Sequence, residues 1–334
     1  MHRGGNPAGY LLLLLSVSTL QPAATSPAMF VPAKFTFSPA FERISPDSTW
    51  LFYHFHIPKT AGRSLYRYFL KEGHPEGIQP CEQVLHPSYG DLHNSDCLLF
   101  GGSNKFCPDL VARLRVQQEG DGEFRTCNLL SFESRNLTWD LTSHLTLPRV
   151  RVMTMLREPV SHYISQFMHD HQWGRVATME EYLTQANDAG YNIGRNGNLI
   201  HQRLGVSEVS EAKRLLEQQT FFFGIMEYWA ESLCLLAYQL DRFDRQFCNL
   251  CHIENLEKPE EGFSTAQRYF LGSKRVGVKP EDELSSISLT ADQVRRIQEL
   301  NADDLNLYSW ALEIFKARVR YVMQMEGVGM LCNE

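Results

Sequence analysis

The sequence lacks an excess of positive charge and the phosphate-binding pattern of ATP-hydrolysing P-loop proteins. Its 334 residues contain 32 Lys and Arg against 39 Asp and Glu, a net charge of −7. This balance excludes nucleic-acid binding through a generally basic surface. The pattern G-x-x-x-x-G-K-[ST] is absent, which excludes a Walker P-loop. No second C-x-x-C pair accompanies Cys248 and Cys251, so structural disulfides are favoured over a zinc or redox site.

A long apolar run is also missing, although the N-terminus has the layout of a secretory signal. Arg3 precedes an apolar run over residues 10–20, and small residues follow at 23–26. A membrane span needs about 20 apolar residues, and this run is shorter. A cleaved signal peptide and a retained signal anchor are therefore both open interpretations. Either would place the rest of the chain in a lumen. The predicted division is a signal at 1–26, a Pro- and Ser-rich stem at 27–49, a globular domain at 50–326 and a C-terminal tail at 327–334.

Two further features agree with a lumenal location. The chain has eight cysteines, an even number that suits disulfides in an oxidising compartment. Asn136-Leu137-Thr138 is a candidate N-glycosylation site, so the chain is predicted to be a glycoprotein. The cysteines are Cys81, Cys97, Cys107, Cys127, Cys234, Cys248, Cys251 and Cys332.

The globular part contains two strand–turn–helix units, which are typical of α/β folds. The first is an apolar strand at 51–57, ended by Pro58 and followed by a helix from Gly62 to Lys71. The second is a strand at 150–156, the turn Arg157-Glu158-Pro159 and a helix at 160–170. Further helices are predicted at 178–189, 208–219 and 227–240, and a last helical region opens with a Thr290–Gln293 capping box and is divided near 301–304.

Both units carry residues that bind anions. A turn before a helix directs backbone amides and the positive end of the helix dipole at one point. Lys59 adds a cation there, and Thr60 and Ser64 add hydroxyl donors. Arg157 ends the second strand, and Ser165 lies eight residues later on the following helix. Two such sites match a ligand with a phosphate at each end, and neither unit has the carboxylate that holds magnesium in a kinase.

The segments 57–62 and 156–165 resemble the two motifs that bind 3′-phosphoadenosine 5′-phosphosulfate (PAPS) in Golgi carbohydrate sulfotransferases. The pattern is most similar to the heparan sulfate 6-O-sulfotransferases and their algal and protist relatives. Similar segments follow at 178–183, 196–204, 222–227, 295–301 and 307–308, so the resemblance covers roughly residues 50–325. It implies a three-layer, P-loop-like α/β sulfotransferase fold, with a mostly parallel central sheet flanked by helices. It also implies PAPS as co-substrate and no metal, with basic side chains and helix N-termini in the metal's electrostatic role.

The resemblance assigns roles residue by residue. Arg157 and Ser165 would hold the 3′-phosphate, and Lys274 and Arg275 match a late basic loop near the donor. Lys59 would contact the bridging oxygen and the 5′-phosphosulfate. Donors around the same group would come from the next residues, which are Thr60, Ala61, Gly62, Arg63 and Ser64. Arg63 stands where the family more often has Thr, and its charge would add to the donor site or narrow the acceptor path.

The general base is less constrained. Relatives use a His that follows a cysteine between the two motifs, but the corresponding stretch, 127–135, contains none. Glu133 is the natural replacement because a carboxylate can accept the proton of the acceptor hydroxyl. His86 and His93, in an earlier loop, stay open as alternatives. His54 and His56 alternate with apolar residues on the first strand, where at least one of them is expected in the core.

The predicted function is sulfuryl transfer from PAPS to a hydroxyl in the Golgi lumen, by a type II membrane protein or a cleaved secretory-pathway protein. The acceptor is a glycan, a glycolipid or a small hydroxylated molecule, and the acidic chain favours an acceptor that is not highly sulfated. Two other interpretations stay open. One is a kinase of a small metabolite, and the other is a lumenal glycan-binding protein that kept the fold and lost catalysis.

Overall fold

A four-stranded parallel sheet places the two motif-bearing strands side by side. The computed structural model describes residues 41–46, 50–61, 64–65, 68–69, 78, 128–132, 137–138, 149–184, 197–252 and 287–332. Within them the strand order is β2-β1-β3-β4 and each neighbouring pair is parallel. The strands are β1 (Leu51–Phe55), β2 (Leu129–Phe132), β3 (Val150–Leu156) and β4 (Thr220–Ile225).

Helices follow β3 and β4 and make up most of the described residues of the C-terminal half. Residues 37–334 form one compact unit, and residues 1–36 lie outside the described residues. Short 3₁₀ turns follow β4 at Met226–Tyr228 and occur again at Leu250–His252. The helices are α1 (Pro159–Gln172), α2 (Met179–Thr184), α3 (Leu199–Leu204), α4 (Val209–Gln218), α5 (Trp229–Gln239), α6 (Arg245–Cys248), α7 (Ala291–Leu300) and α8 (Ala302–Glu326).

The strands β1 and β4 and most of β3 are buried, as expected for parallel strands covered by helices. All five residues of β1 and all six of β4 are buried, and α4, α5 and α8 pack against β4. Gly224 allows this close packing, because a Cβ there would lie 2.5 Å from the Met155 sulfur on β3 and 2.9 Å from the Ser232 Cβ on α5. The predicted α/β class with a parallel sheet and flanking helices is confirmed.

A second apolar cluster fixes α1 against two other helices. Tyr163 and Phe167 of α1 pack edge-on against Tyr182 of α2, and Ile297 of α7 is buried in the same cluster. The helix that follows the β3 turn is therefore held by its own core as well as by the sheet. This arrangement limits the movement of the candidate site residues that α1 carries.

Most of the predicted boundaries agree with the structure. β3 covers the predicted 150–156, whereas β1 ends at Phe55, two residues early. The capping box is present, with both Thr290 and Gln293 bonding to the other's backbone amide. Asn301 separates α7 from α8, as predicted. α2 is described from Met179 to Thr184, and the rest of the predicted helix at 178–189 lies outside the described residues.

Disulfides join the region after β4 to the C-terminus. Cys234 of α5 bonds to Cys248, and Cys251 bonds to Cys332. The two cysteines of the C-x-x-C segment therefore have different partners, which confirms the structural interpretation for these four cysteines. The segment after α8 is part of the main core, where Val328, Met330 and Leu331 are buried.

Backbone contacts also tie α3 to the start of α8. Asp304 is buried, and its two carboxylate oxygens accept hydrogen bonds from the amides of Ile200 and His201, both at a distance of 2.8 Å. Gly197 precedes α3 with φ +71°, and a Cβ at this position would lie 2.2 Å from the Leu300 carbonyl oxygen. Only glycine accepts both the left-handed backbone and this close approach without strain.

Candidate active site

The chain leaving β1 makes a tight turn that presents Lys59. Lys59 and Ala61 both have left-handed backbones, with φ 64° and 62°, a conformation that costs non-glycine residues energy and is concentrated at functional sites. The Thr60 hydroxyl is buried and donates to the Ile57 carbonyl over 2.8 Å. The Ser64 amide donates to the Ala61 carbonyl over 2.9 Å as the next helical segment begins. The Thr60 hydroxyl therefore stabilises the turn itself.

The chain leaving β3 makes a second turn with a different capping arrangement. Arg157 is 3% exposed. The two carboxylate oxygens of Glu158 accept from the amides of Val160 (3.0 Å) and Ser161 (2.7 Å), and Pro159 occupies the first position of α1. A carboxylate thus already satisfies the first-turn amides of α1. At this turn the guanidinium of Arg157, rather than the helix N-terminus, is the group suited to an anion.

Two hydrogen bonds join the turns to each other. Arg157 Nη1 donates to the Lys59 carbonyl over 3.1 Å. His162 Nε2 donates to the Pro58 carbonyl over 2.6 Å. Since a carbonyl can only accept, the second contact requires the proton of His162 on Nε2. The β1 turn is therefore bonded both to α1 and to the β3 turn. The two bonded pairs are 98 and 104 positions apart in the chain.

Burial keeps His162 neutral, and nearby cations add to this effect. Burial lowers the pKa of His162 to about 3; the hydrogen bond to Pro58 opposes this, and the charges of Arg157, Arg203 and Lys59 reinforce it. Arg203, on α3, is itself 8% exposed. Three cations, Lys59, Arg157 and Arg203, thus lie within electrostatic range of His162 at the carboxyl ends of β1 and β3, an arrangement that suits a ligand with more than one anionic group.

Comparisons with known proteins agree with this geometry. Heparan-sulfate 6-O-sulfotransferase 1 of Homo sapiens is 28% identical over 214 residues, which cover 52% of this chain and 45% of that protein. The same protein of Cricetulus griseus and of Mus musculus is 27% identical over 214 residues. The chain is related to the heparan-sulfate 6-O-sulfotransferases. It spans about half the length of the curated relatives it matches, and no protein-family model matches it.

The sulfotransferase relationship directs attention to the residues of the two resembling motifs. Lys59, Thr60, Ala61 and Ser64 lie in or after the β1 turn, and Arg157 lies in the β3 turn, as described above. Ser165 is half-buried on α1, two helical turns after Arg157. The structure therefore brings the β1 turn and Arg157 to one edge of the sheet. The other predicted site residues lie outside the described residues, and they are Gly62, Arg63, His86, His93, Glu133, Asn136, Lys274 and Arg275.

The strand histidines of this sulfotransferase relative have different environments. His54 is 1% exposed, and its Nδ1 lies 2.8 Å from the Ser131 hydroxyl of β2. Burial lowers the pKa of His54 to about 3, so it is neutral at physiological pH. The expectation that at least one strand histidine belongs to the core is confirmed for His54. His56 is half-buried and stacks on His54, with ring centroids 5.7 Å apart.

An exposed aromatic side chain lies at the C-terminal end of α1. Trp173 directly follows α1 and is 69% exposed, and its Nε1 donates to His169 Nε2 at 3.2 Å. Partial burial lowers the pKa of His169, and the charge of Lys59 contributes to this shift. His169 therefore lies within the electrostatic range of the β1 turn, with an open aromatic face beside it.

Several residues of this region have roles that the sequence alone did not assign. They include His162, which bonds the β1 turn, and Glu158, which caps α1. Glu227, after β4, accepts from the Glu158 amide over 2.9 Å. The Pro at the first position of α1 was the only local signal of a cap here, because the side-chain contacts depend on strand order.

The described part of the chain contains no group of three or more His, Cys, Asp or Glu side chains arranged to hold a metal ion. Nor does any helix among the described residues have the length and apolar character needed to cross a membrane. The N-terminal apolar run, on which the predicted signal or anchor depends, lies outside the described residues.

Proposed function

We propose that this chain transfers a sulfuryl group from PAPS to a hydroxyl of a glycan or related acceptor. One observation carries the proposal. Two cation-bearing turns, at the carboxyl ends of the adjacent parallel strands β1 and β3, are bonded to each other in a chain related to sulfotransferases. Ligands of open α/β sheets bind at this edge. PAPS has anionic groups at its 5′ and 3′ positions, so it needs two such sites at a fixed separation.

The donor would bind with its 5′ end at the β1 turn. Lys59 would stabilise the charge that develops on the leaving 5′-phosphate oxygen. Arg157 and Ser165 would hold the 3′-phosphate, because a guanidinium can bind a phosphate through two parallel hydrogen bonds. The Thr60 hydroxyl already bonds Ile57, so Thr60 would act through its backbone amide. Further donors would come from Ala61, Gly62, Arg63, Ser64, Lys274 and Arg275.

Glu133 is the proposed general base. It follows β2 directly in the chain, and Phe132 of β2 pairs with Phe55 of β1 in a parallel register. The chain therefore leaves β2 at the same edge of the sheet as the Lys59 turn. In the proposed step the acceptor oxygen bonds to sulfur and its proton goes to Glu133. The bond from sulfur to the 5′-phosphate oxygen breaks, and adenosine 3′,5′-bisphosphate (PAP) leaves. His86 and His93 are the alternative bases.

The acceptor would approach past Trp173. An exposed aromatic face with a polar edge suits the apolar face and hydroxyls of a sugar ring, and the ring nitrogen of Trp173 donates to His169. The printed name of the relatives makes heparan sulfate the first acceptor to test. The net charge of −7 favours less sulfated glycans, glycolipids and small hydroxylated molecules in the same panel.

The proposed location is the Golgi lumen, as a type II membrane protein or a secretory-pathway protein whose signal is removed. The disulfides Cys234–Cys248 and Cys251–Cys332 support an oxidising compartment. Within it, Asn136 would be available for N-glycosylation. Detection of an N-linked glycan that is lost in Asn136→Gln would test this part of the proposal.

The direct test combines donor binding with labelled sulfate transfer. The full chain should bind PAP in calorimetry and should transfer labelled sulfate from PAPS to at least one acceptor of the panel. Lys59→Ala should lower both binding and transfer, whereas Glu133→Gln should abolish transfer and keep binding. Lys213→Ala, which removes a lysine of α4 bonded to Asn306, is the matched control and should change neither.

Each alternative function has its own outcome in this test. Binding of ATP with magnesium in place of PAP would indicate a small-metabolite kinase and overturn the proposal. Binding of PAP and glycan with no transfer to any acceptor would indicate a lumenal binding protein, which the missing family histidine between 127 and 135 makes the second candidate. Full activity in Glu133→Gln would refute the assigned base and leave the donor site intact.

A further inference from the structure

A half-buried carboxylate connects the β3 turn to the long C-terminal helix. Glu227 lies in the 3₁₀ turn after β4. Its Oε1 accepts from the Glu158 amide over 2.9 Å, and its Oε2 accepts from the Tyr308 hydroxyl of α8 over 2.9 Å. Burial raises the pKa of Glu227, while these hydrogen bonds and the charge of Arg157 oppose the shift. Both oxygens of the carboxylate therefore have defined partners.

The bond to Glu158 acts on the peptide unit from which Arg157 is positioned. The amide of Glu158 belongs to the peptide that joins it to Arg157, so Glu227 sets the orientation of that peptide. The side chain of Glu158 is occupied with the cap of α1 and cannot serve this purpose. Arg157 in turn reaches the Lys59 carbonyl. Glu227 is thus connected to Arg157 through a single peptide unit.

We propose that Glu227 is a positioning residue for the 3′-phosphate subsite, with Tyr308 fixing the second oxygen of its carboxylate. The inference rests on the proposed function, because it assumes that Arg157 binds the 3′-phosphate of the donor. It makes a selective claim: loss of Glu227 weakens the binding of ligands that carry a 3′-phosphate and spares ligands that have only the 5′-phosphate. A merely structural role would weaken both to a similar extent.

The test measures the dissociation constants of PAP and of adenosine 5′-monophosphate for the full chain, well below its unfolding temperature. Glu227→Ala should weaken PAP binding by about tenfold, as expected when a buried amide loses its acceptor next to a charged contact. It should leave the affinity for adenosine 5′-monophosphate within about twofold. Glu227→Gln keeps an acceptor for the Glu158 amide and should restore PAP binding to within about threefold.

Matched controls come from the other end of α8. Glu326→Ala removes a carboxylate that also connects two partners, Arg43 and Arg245. Tyr321→Phe removes a hydroxyl from the same helix as Tyr308. Neither variant should change the ratio of the two affinities. Tyr308→Phe should lower the PAP affinity selectively by about threefold, because it leaves one Glu227 oxygen without its donor.

The outcomes separate this inference from the proposed function. An unchanged ratio of the two affinities in Glu227→Ala would overturn the inference. The proposed function would still be supported in that case if the wild type binds PAP. If Glu227→Ala does not fold, Tyr308→Phe is the variant that tests the inference. An unchanged ratio of the two affinities in Tyr308→Phe would then overturn it. A wild-type chain that binds no PAP would overturn the proposed function and the inference with it.

Discussion

Replacing His162 by Gln tests the bond that joins α1 to the β1 turn. His162 is 2% exposed, and its Nε2 donates to the Pro58 carbonyl over 2.6 Å. Burial lowers the pKa of His162 to about 3, and three nearby cations act in the same direction. In the folded protein this bond is therefore made by a neutral imidazole. Gln places an amide N–H at similar reach, so it can donate to the same carbonyl without titrating.

The magnitude follows from proton linkage. The folded pKa of about 3 lies below the unfolded value of about 6.5, so the unfolded chain takes up a proton first as the pH falls. The contribution of His162 to stability is complete above the unfolded pKa and declines as the pH falls toward the folded pKa. Between pH 7 and pH 5 this one group accounts for a loss of roughly 2 kcal/mol. His162→Gln should remove that part of the loss.

The assay is urea unfolding of the oxidised protein at pH 7 and pH 5, followed by fluorescence. The difference in unfolding free energy between the two pH values should be smaller in His162→Gln than in the wild type by roughly 2 kcal/mol. His171→Gln changes an exposed histidine of the same helix and should retain the wild-type difference. An equal pH dependence in His162→Gln and wild type would refute the assigned neutral, bonded state.

Three other substitutions test separate parts of the structure. Gly197→Ala should destabilise the fold by roughly 1–3 kcal/mol, measured by thermal unfolding, because its Cβ would meet the Leu300 carbonyl. Burial raises the pKa of Asp304 to about 7, so the free energy of unfolding of the wild type should fall as the pH rises toward that value. Asp304→Asn lacks this titration. In urea unfolding its free energy of unfolding should therefore lie further below that of the wild type at pH 5 than at pH 8. Trp173→Ala should raise the KM for a glycan acceptor severalfold and leave PAP binding and thermal stability unchanged, since the ring is 69% exposed; a lower PAP affinity would contradict an acceptor role.

The sequence predicted correctly the features that depend on residues close together in the chain. The apolar run of β3 and the Thr290–Gln293 capping box are local patterns, and both agree with the structure. The cross-links between the turns are not local. Arg157 reaches Lys59 across 98 positions, and only the parallel pairing of β1 with β3 brings them together. For the same reason His162 had no assigned role, although its neighbours in the motif did.

Glu158 shows why a helix N-terminus next to an anion site need not bind the anion. A bare N-terminus at α1 would attract a phosphate through its unpaired amides, but the carboxylate of Glu158 already occupies two of them. A carboxylate there would also repel an approaching phosphate, unless a cation of fixed position compensates for it. Arg157, held by its bond to Lys59, supplies that cation. The β3 turn should therefore bind an anion through one guanidinium of defined orientation, and its affinity should depend on the groups that hold Arg157 more than on the dipole of α1.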